Sequence, residues 1–139
     1  MTMADLADDA LAIANLKAAY CAAADLCATD PDAARAAMAA LFTADAQGDY
    51  GAAPLAGGAA IAGFLSAGIA QNSNWMLHML HSPRIEVSGD TARAQWTVLV
   101  HADRRDGSGV QVITGRYHDT LRREGAGWRI ATLRFERIG

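Results

Sequence analysis

Bulky side chains are scarce in this chain: three Trp, three Tyr and three Phe are spread over 139 residues, and much of the 52% apolar content is alanine. The few large residues therefore mark a core or a cavity wall. Cysteine is nearly absent too. Cys21 and Cys27 lie six apart in a helical stretch, without the close Cys/His spacing of a zinc site. An unexported chain favours free thiols, so neither a disulfide nor a structural metal is expected. The longest apolar run, Ala59 to Ala70, is much shorter than the roughly 20 residues of a membrane-spanning helix. The N-terminal stretch is acidic where a signal peptide would be basic, and the expectation is a soluble cytoplasmic protein.

No Gly-rich phosphate loop and no ligand cluster is present, so no cofactor is expected. Repeats, low-complexity tracts and linkers are also missing, and the length suits one domain over residues 1–139. The net charge of -3 is unevenly placed. Residues 1–70 hold two basic and eight acidic side chains, and residues 71–139 hold ten and seven. An excess of three positive charges, interspersed with acids, is too weak to argue for nucleic acid.

In the first half, Ile13, Leu16, Tyr20, Ala24 and Cys27 recur near a 3.6 period and predict a helix from about Asp8 to Ala28. Asp30-Pro31-Asp32 restarts helix, with Met38, Leu41 and Phe42 following. Thr43 to Tyr50 suits a short strand, Gly51 to Gly58 a loop, and Ala59 to Ile69 a third helix. After Gln71-Asn72-Ser73 the pattern changes to strands: Trp75 to Val87, Thr91 to Asp103, Val110 to Arg123 and Trp128 to Arg137. In the second of these, Ala92, Ala94, Trp96, Val98 and Val100 alternate with Arg93, Gln95, Thr97, Leu99 and His101. Helices first and a meander second is an α+β pattern, in which a sheet curling around the helices leaves a pocket between them.

The stretch from Asn74 to Val87 carries His78 and His81 among Trp75, Met76, Leu77, Met79 and Leu80. A histidine in that setting is a candidate acid or base, and equally a satisfied core residue. Three apart in a regular strand, the two point to opposite faces, so at most one enters a cavity. Tyr20, Tyr50 and Tyr117 can donate to a developing oxyanion or serve only as buried tyrosines. Trp75, Met76, Met79 and Phe64 suit an apolar pocket wall or plain core. His118, beside Asp119, reads as a surface or edge residue. Asp25 lies about 140° around the first helix from Tyr20, which by itself suggests a solvated carboxylate.

Several strings, however, resemble the SnoaL-like branch of the NTF2-like superfamily. They are Leu41-Phe42-Thr43-Ala44-Asp45, the run from His78 through Ser82-Pro83-Arg84-Ile85-Glu86-Val87 to Ala92, Gly115-Arg116-Tyr117-His118-Asp119, and Gly127-Trp128-Arg129-Ile130. The resemblance implies a cone: a curved mixed or antiparallel sheet wrapped around three N-terminal helices and enclosing a pocket. Within the superfamily the chain is most similar to the lyases represented by scytalone dehydratase, bile-acid dehydratase and hexachlorocyclohexane dehydrochlorinase. That similarity implies an aspartate, Asp25, orienting a histidine, His78. It also implies a tyrosine at Tyr20, a polar group at His101 on the next strand and a tyrosine at Tyr50. The related lyases use an arginine on the last strand; the nearest here, Arg134, is about one residue out of register, and such a shift reverses the facing side.

The resemblance thus implies a cofactor-independent lyase of dehydratase or cyclase type. Its substrate would be a small apolar hydroxy-carbonyl or cyclic compound, with Asp25, His78, Tyr20 and His101 as catalytic groups. Tyr50, Phe64, Trp75, Met76, Tyr117 and Arg134 would touch the substrate. A ketosteroid-isomerase-like isomerase with the same pair, and a non-catalytic module for ligand binding or assembly, remain open. The implied partners are a small apolar ligand and further copies of the chain in a homo-oligomer, trimer or dimer, with no nucleic acid and no membrane.

Overall fold

Local signals start each helix. The computed structural model describes residues 2–139. Helix α1 (Met3–Leu26) begins earlier than its apolar period indicates because Thr2 caps it: the Thr2 hydroxyl accepts from the Asp5 N–H, and the Asp5 carboxylate accepts from the Thr2 N–H at 3.0 Å. Asp30 caps α2 (Pro31–Ala39) by accepting from the Ala33 N–H at 3.2 Å, with Pro31 in the first turn where no N–H is needed. Phe42, expected to finish that helix, instead opens strand β1 (Phe42–Asp49). The stretch expected as a loop holds a two-residue strand, β2 (Leu55–Ala56), paired antiparallel with Gln47 and Gly48 of β1. Two residues are too few to display a period. Helix α3 (Gly58–Asn72) follows, then β3 (Ser73–Ser88), β4 (Thr91–Arg104), β5 (Gly109–Glu124) and β6 (Gly127–Arg137).

The six strands form one open, mixed sheet in the order β2-β1-β6-β5-β4-β3. Only the contact of β1 with β6 is parallel. With its three helices this is an α+β cone. Period-two burial defines the inner face: Ala92, Ala94, Trp96, Val98, Val100 and Ala102 of β4 are all buried. Opposite them in register stand Leu121, Asp119, Tyr117, Gly115 and Ile113 of β5. The core forms where this face meets Ile13, Tyr20, Met38 and Ile61 from the helices and β6 supplies Ile130 and Leu133.

Ser82-Pro83, inside the strand predicted from Trp75 to Val87, makes a bulge within β3. Ser82 adopts φ 52°, the pairing register shifts between His81 and Arg84, and one extra residue is accommodated. Five steps from Leu80 to Ile85 on β3 face four steps from Val98 to Ala94 on β4. The inward set therefore changes parity, from His78 and Leu80 before the bulge to Ile85 and Val87 after it. Without the bulge, one of those halves would turn its apolar side chains outward.

Two arginines tie the layers together. Arg123 of β5 donates to both Asp9 carboxylate oxygens, at 3.0 and 2.9 Å, and the Trp128 indole N–H donates to Asp9 at 3.2 Å, which pins α1 to the β5–β6 hairpin. At the β4–β5 turn, Arg105 donates to the Ala70 carbonyl at 2.8 Å and to the Ala28 carbonyl at 3.2 Å. It thereby satisfies acceptors left open where α3 and α1 end.

Candidate functional site

Where the helices lean away from the sheet, an apolar cavity of about 320 Å³ opens. Tyr20 of α1, Tyr50 after β1, and Leu65 and Ile69 of α3 form one side. Met76 and His78 of β3, Val100 of β4, Ile113 and Tyr117 of β5, and Phe135 and Arg137 of β6 form the other. Arg137 is the one formal charge among these side chains.

His78 reaches this wall because β3 before its bulge turns even-numbered residues inward. Asp25, at the last turn of α1, stands behind it. One carboxylate oxygen, Oδ1, accepts from the His78 backbone N–H at 2.9 Å and lies 2.7 Å from the ring Nδ1. The pair is well shielded, with the side chain of His78 7% exposed and that of Asp25 23%. A carboxylate at Nδ1 holds the proton there, and Nε2 becomes the lone-pair nitrogen, free to take a proton. The backbone bond to the same oxygen fixes the height of β3 against α1, so the ring and its partner are held by both main chain and side chain.

On the wall of the same cavity, the Tyr20 and Tyr50 hydroxyls are 2.6 Å apart. One O–H is used between them, and the other is left to donate to a ligand. Tyr117 packs edge-on to Tyr20 with ring centroids 5.6 Å apart. Burial pushes the ionisation of all three tyrosines above their ordinary value, so at neutral pH they are donors and not phenolates. A base, a pair of donors and an apolar wall together suit the removal of a proton next to a group whose oxygen gains charge.

The structure brings Asp25, His78, Tyr20, Tyr50, Tyr117 and Met76 together and leaves other expected residues elsewhere. His101 is not at the cavity: its neighbours Val100 and Ala102 take the inward positions of β4, and His101 lies between Leu77 and Val112 on the outer sheet face. Trp75, also on the outer face, is 43% exposed. Phe64 is 44% exposed on α3; it meets the site only by stacking on Tyr50, with centroids 5.7 Å apart. Arg134 faces outward beside His118 and Thr132, as its register anticipates, because Leu133 and Phe135 occupy the inner face of β6. Arg137, two residues after Phe135, is the β6 arginine that reaches the cavity. On the outer face His118 Nε2 lies 2.9 Å from Glu136, and His81 is exposed.

Sequence reasoning passed over the most deeply buried charges. Lys17 and Asp119 are each 0% exposed in their side chains and stand 2.8 Å apart beneath the tyrosines. Period signals existed for both: Lys17 precedes Tyr20 by three residues on the same helix face, and Asp119 follows Tyr117 by two on the same strand face. Burial lowers the Lys17 ionisation and raises that of Asp119, each opposed by the other's charge. Cys21 and Cys27 are free and buried. Among the described residues no three His, Cys, Asp or Glu side chains cluster as metal ligands, and no helix is long and apolar enough to cross a membrane.

Comparison with known proteins agrees with this architecture. The profile of the SnoaL-like domain family matches residues 5–134. A Novosphingobium aromaticivorans protein provisionally named an aromatic ring hydroxylase is 30% identical, with 95% of this chain and 90% of that one covered and a TM-score of 0.79. A second protein of that organism, provisionally named scytalone dehydratase, is 21% identical over 100% of this chain and 89% of its own, with a TM-score of 0.84. An NTF2-like superfamily protein of Salmonella enterica is 22% identical over 96% and 94%, again with a TM-score of 0.84. The last two likenesses establish the fold alone. No curated protein matches the chain.

Proposed function

The chain belongs to the SnoaL-like domain family of the NTF2-like superfamily, and from that membership we propose a cofactor-independent lyase of dehydratase or cyclase type. Its substrate is a small, largely apolar hydroxy-carbonyl or cyclic compound. The observation that carries the reading is the 2.7 Å contact of Asp25 with His78 Nδ1 on the wall of an apolar cavity. The scytalone dehydratase name given to one structural neighbour supports the same class of elimination.

His78 Nε2 takes a proton from the carbon next to a carbonyl. The electron pair of the broken C–H bond moves to the carbonyl oxygen, where the free O–H of the Tyr20–Tyr50 pair stabilises the negative charge. Asp25 keeps the Nδ1 proton in place and stabilises the imidazolium that forms. As the carbonyl re-forms, a carbon–carbon double bond closes and the β-hydroxyl departs; His78 returns the proton and water leaves. Acid–base help of this kind is worth about 10² to 10⁴ in rate. An isomerase differs only in returning the proton to another carbon of the same substrate. Product analysis separates the two.

The test is turnover of hydroxy-carbonyl compounds by the protein and by His78→Ala. Loss of at least about a hundredfold is expected, and full activity in the variant refutes the reading. The proposed protein partner is a second copy of the chain: Trp75 and Leu77 of β3 and Val110 and Val112 of β5 stand exposed on the outer sheet face, on either side of Asp103 and His101 of β4, and large apolar side chains gathered in this way on one face mark an interface. A monomeric mass by light scattering at micromolar concentration refutes that assembly.

A further inference from the structure

Lys17 is the single lysine of the chain, and it is completely buried. Its ammonium lies 3.7 Å from the ring centroid of Tyr117, 4.2 Å from that of Tyr20 and 5.5 Å from that of Trp96. Asp119 Oδ2 is 2.8 Å away but off the hydrogen-bonding direction, and neither Asp119 oxygen has an aligned donor. Desolvating both ions of such a pair is costly, and an apolar pair of similar volume in its place is often as stable or more so. As a stabilising device it is therefore expensive. Its position suggests another use. Tyr117 and Tyr20 separate Lys17 from the cavity, and Tyr20 carries the hydroxyl bonded to Tyr50. The ammonium faces the Tyr20 and Tyr117 rings, and Asp119 lies two residues after Tyr117 on the inner face of β5, in register with Leu133 and Ala94.

A cation at a ring face withdraws electron density from a phenol and strengthens its O–H as a donor, and in a dry interior that influence is weakly screened. We infer that the Lys17–Asp119 pair is a fixed dipole that polarises the tyrosine wall, so that the Tyr20–Tyr50 hydroxyl pair favours an anionic oxygen and the cavity takes phenolate- or enolate-type ligands over their neutral forms. Lys17 is thus a positioning residue, acting through Tyr20 and Tyr117 and touching no substrate itself. The inference deepens the lyase reading and rests on it for its biological meaning, because an enolate is the species that proton removal by His78 creates. The other groups near Lys17 are Cys21, one turn along α1, and Trp96, and neither supplies a charge that competes with the dipole.

The probe is 4-nitrophenol, whose phenolate and phenol forms differ in visible absorbance, and the readout is the ionisation of the bound probe against pH. In the wild-type protein the phenolate is expected to bind about tenfold more tightly than the phenol, which moves the bound probe's ionisation midpoint about one pH unit below that of the free probe. The comparison variant is Lys17→Met/Asp119→Leu, in which both charges go together and the volume stays, with its fold checked by circular dichroism. It should bind the two forms more evenly and move the bound probe's midpoint back towards the free value, leaving only the shift that Arg137 on the cavity wall supplies in both proteins. A merely structural pair would leave the midpoint unchanged between the two proteins. Equal midpoints, no phenolate preference in the wild type, or no binding of either form overturns the inference. His78→Gln separates this result from the lyase reading. There the phenolate preference persists while turnover is lost, whereas a His78→Gln protein with full turnover refutes the lyase reading and leaves the probe result standing.

Discussion

Replacing Lys17 by Met leaves the Asp119 carboxylate buried without a counter-charge, and the consequence can be worked through in both magnitude and pH. Asp119 is 0% exposed in its side chain, and its two oxygens have no aligned hydrogen-bond donor to take over the role of the ammonium. Breaking a buried pair from one side costs about 3 to 5 kcal/mol. With an unfolding entropy of about 2.1 cal/mol/K per residue, a chain of 139 residues loses about 3.4 °C of Tm per kcal/mol, so Lys17→Met should fall by about 10 to 17 °C near neutral pH. The double variant Lys17→Met/Asp119→Leu should recover most of that loss, since an apolar pair needs no counter-charge. Burial already raises the Asp119 ionisation, with Lys17 opposing it. Removing Lys17 removes the opposition, so the folded-state value rises further above the unfolded one. A group raised in this way contributes stability at low pH, and the contribution is lost as pH rises through the folded-state value. Lys17→Met should therefore lie closer to wild type near pH 4 than at pH 8. Thermal and urea denaturation of the three proteins at both pH values is the assay. A loss under about 3 °C at pH 8, or one equal at both pH values, would show that the pair is not the buried charge contact described.

Asp25→Asn should keep the fold and lower turnover by about 10² to 10⁴, because the amide can still meet Nδ1 but cannot stabilise an imidazolium; activity within a factor of two would sink the orienting role. Burial pushes the Cys21 thiol up to about 12 and the Cys27 thiol up to about 11, so both stay protonated at pH 8. A thiol-exchange reagent should label them at least about a hundredfold more slowly in the native protein than after denaturation, and rapid native labelling would contradict their burial. The proton that these thiols hold is one the unfolded chain releases near the ordinary thiol value of 9.0, so their contribution to stability falls as pH rises from about 9 towards 11 and 12. Gly115→Ala should cost about 1 to 3 kcal/mol, because a Cβ there would stand 2.6 Å from the Glu136 carbonyl oxygen and 2.7 Å from the Phe135 ring. Phe135 would be displaced from the cavity wall, and an unchanged Tm would refute that close approach.

The residues themselves determined a good deal. The alternation from Ala92 to Val100 specifies a half-buried strand because side chains in a strand change face at every step, and one apolar face is enough to decide which side meets the core. Asp30-Pro31 specifies the start of α2 by local chemistry alone, through a side-chain acceptor and a residue with no N–H to satisfy. The strings around His78 and Gly115 carry the family likeness, and with it the pairing of Asp25 with His78, which the helical period by itself would have left in solvent. Only the tertiary structure decided the rest. His101 faces outward because Val100 and Ala102 occupy the inner positions of β4, and a polar residue at a strand end does not reveal its face until its neighbours are packed. The bulge at Ser82 reverses the parity of β3, a displacement by one residue that the strand predicted from Trp75 to Val87 does not reveal, because only pairing with β4 shows the extra residue. Arg137 reaches the cavity where Arg134 does not, since only the pairing of β6 with β5 and β1 sets which residues point inward. Lys17 and Asp119 are far apart in the chain, and each alone reads as a solvated charge. Burying either becomes tolerable only when the fold delivers the other to within ion-pair distance, and that meeting is a property of how α1 lies across β5.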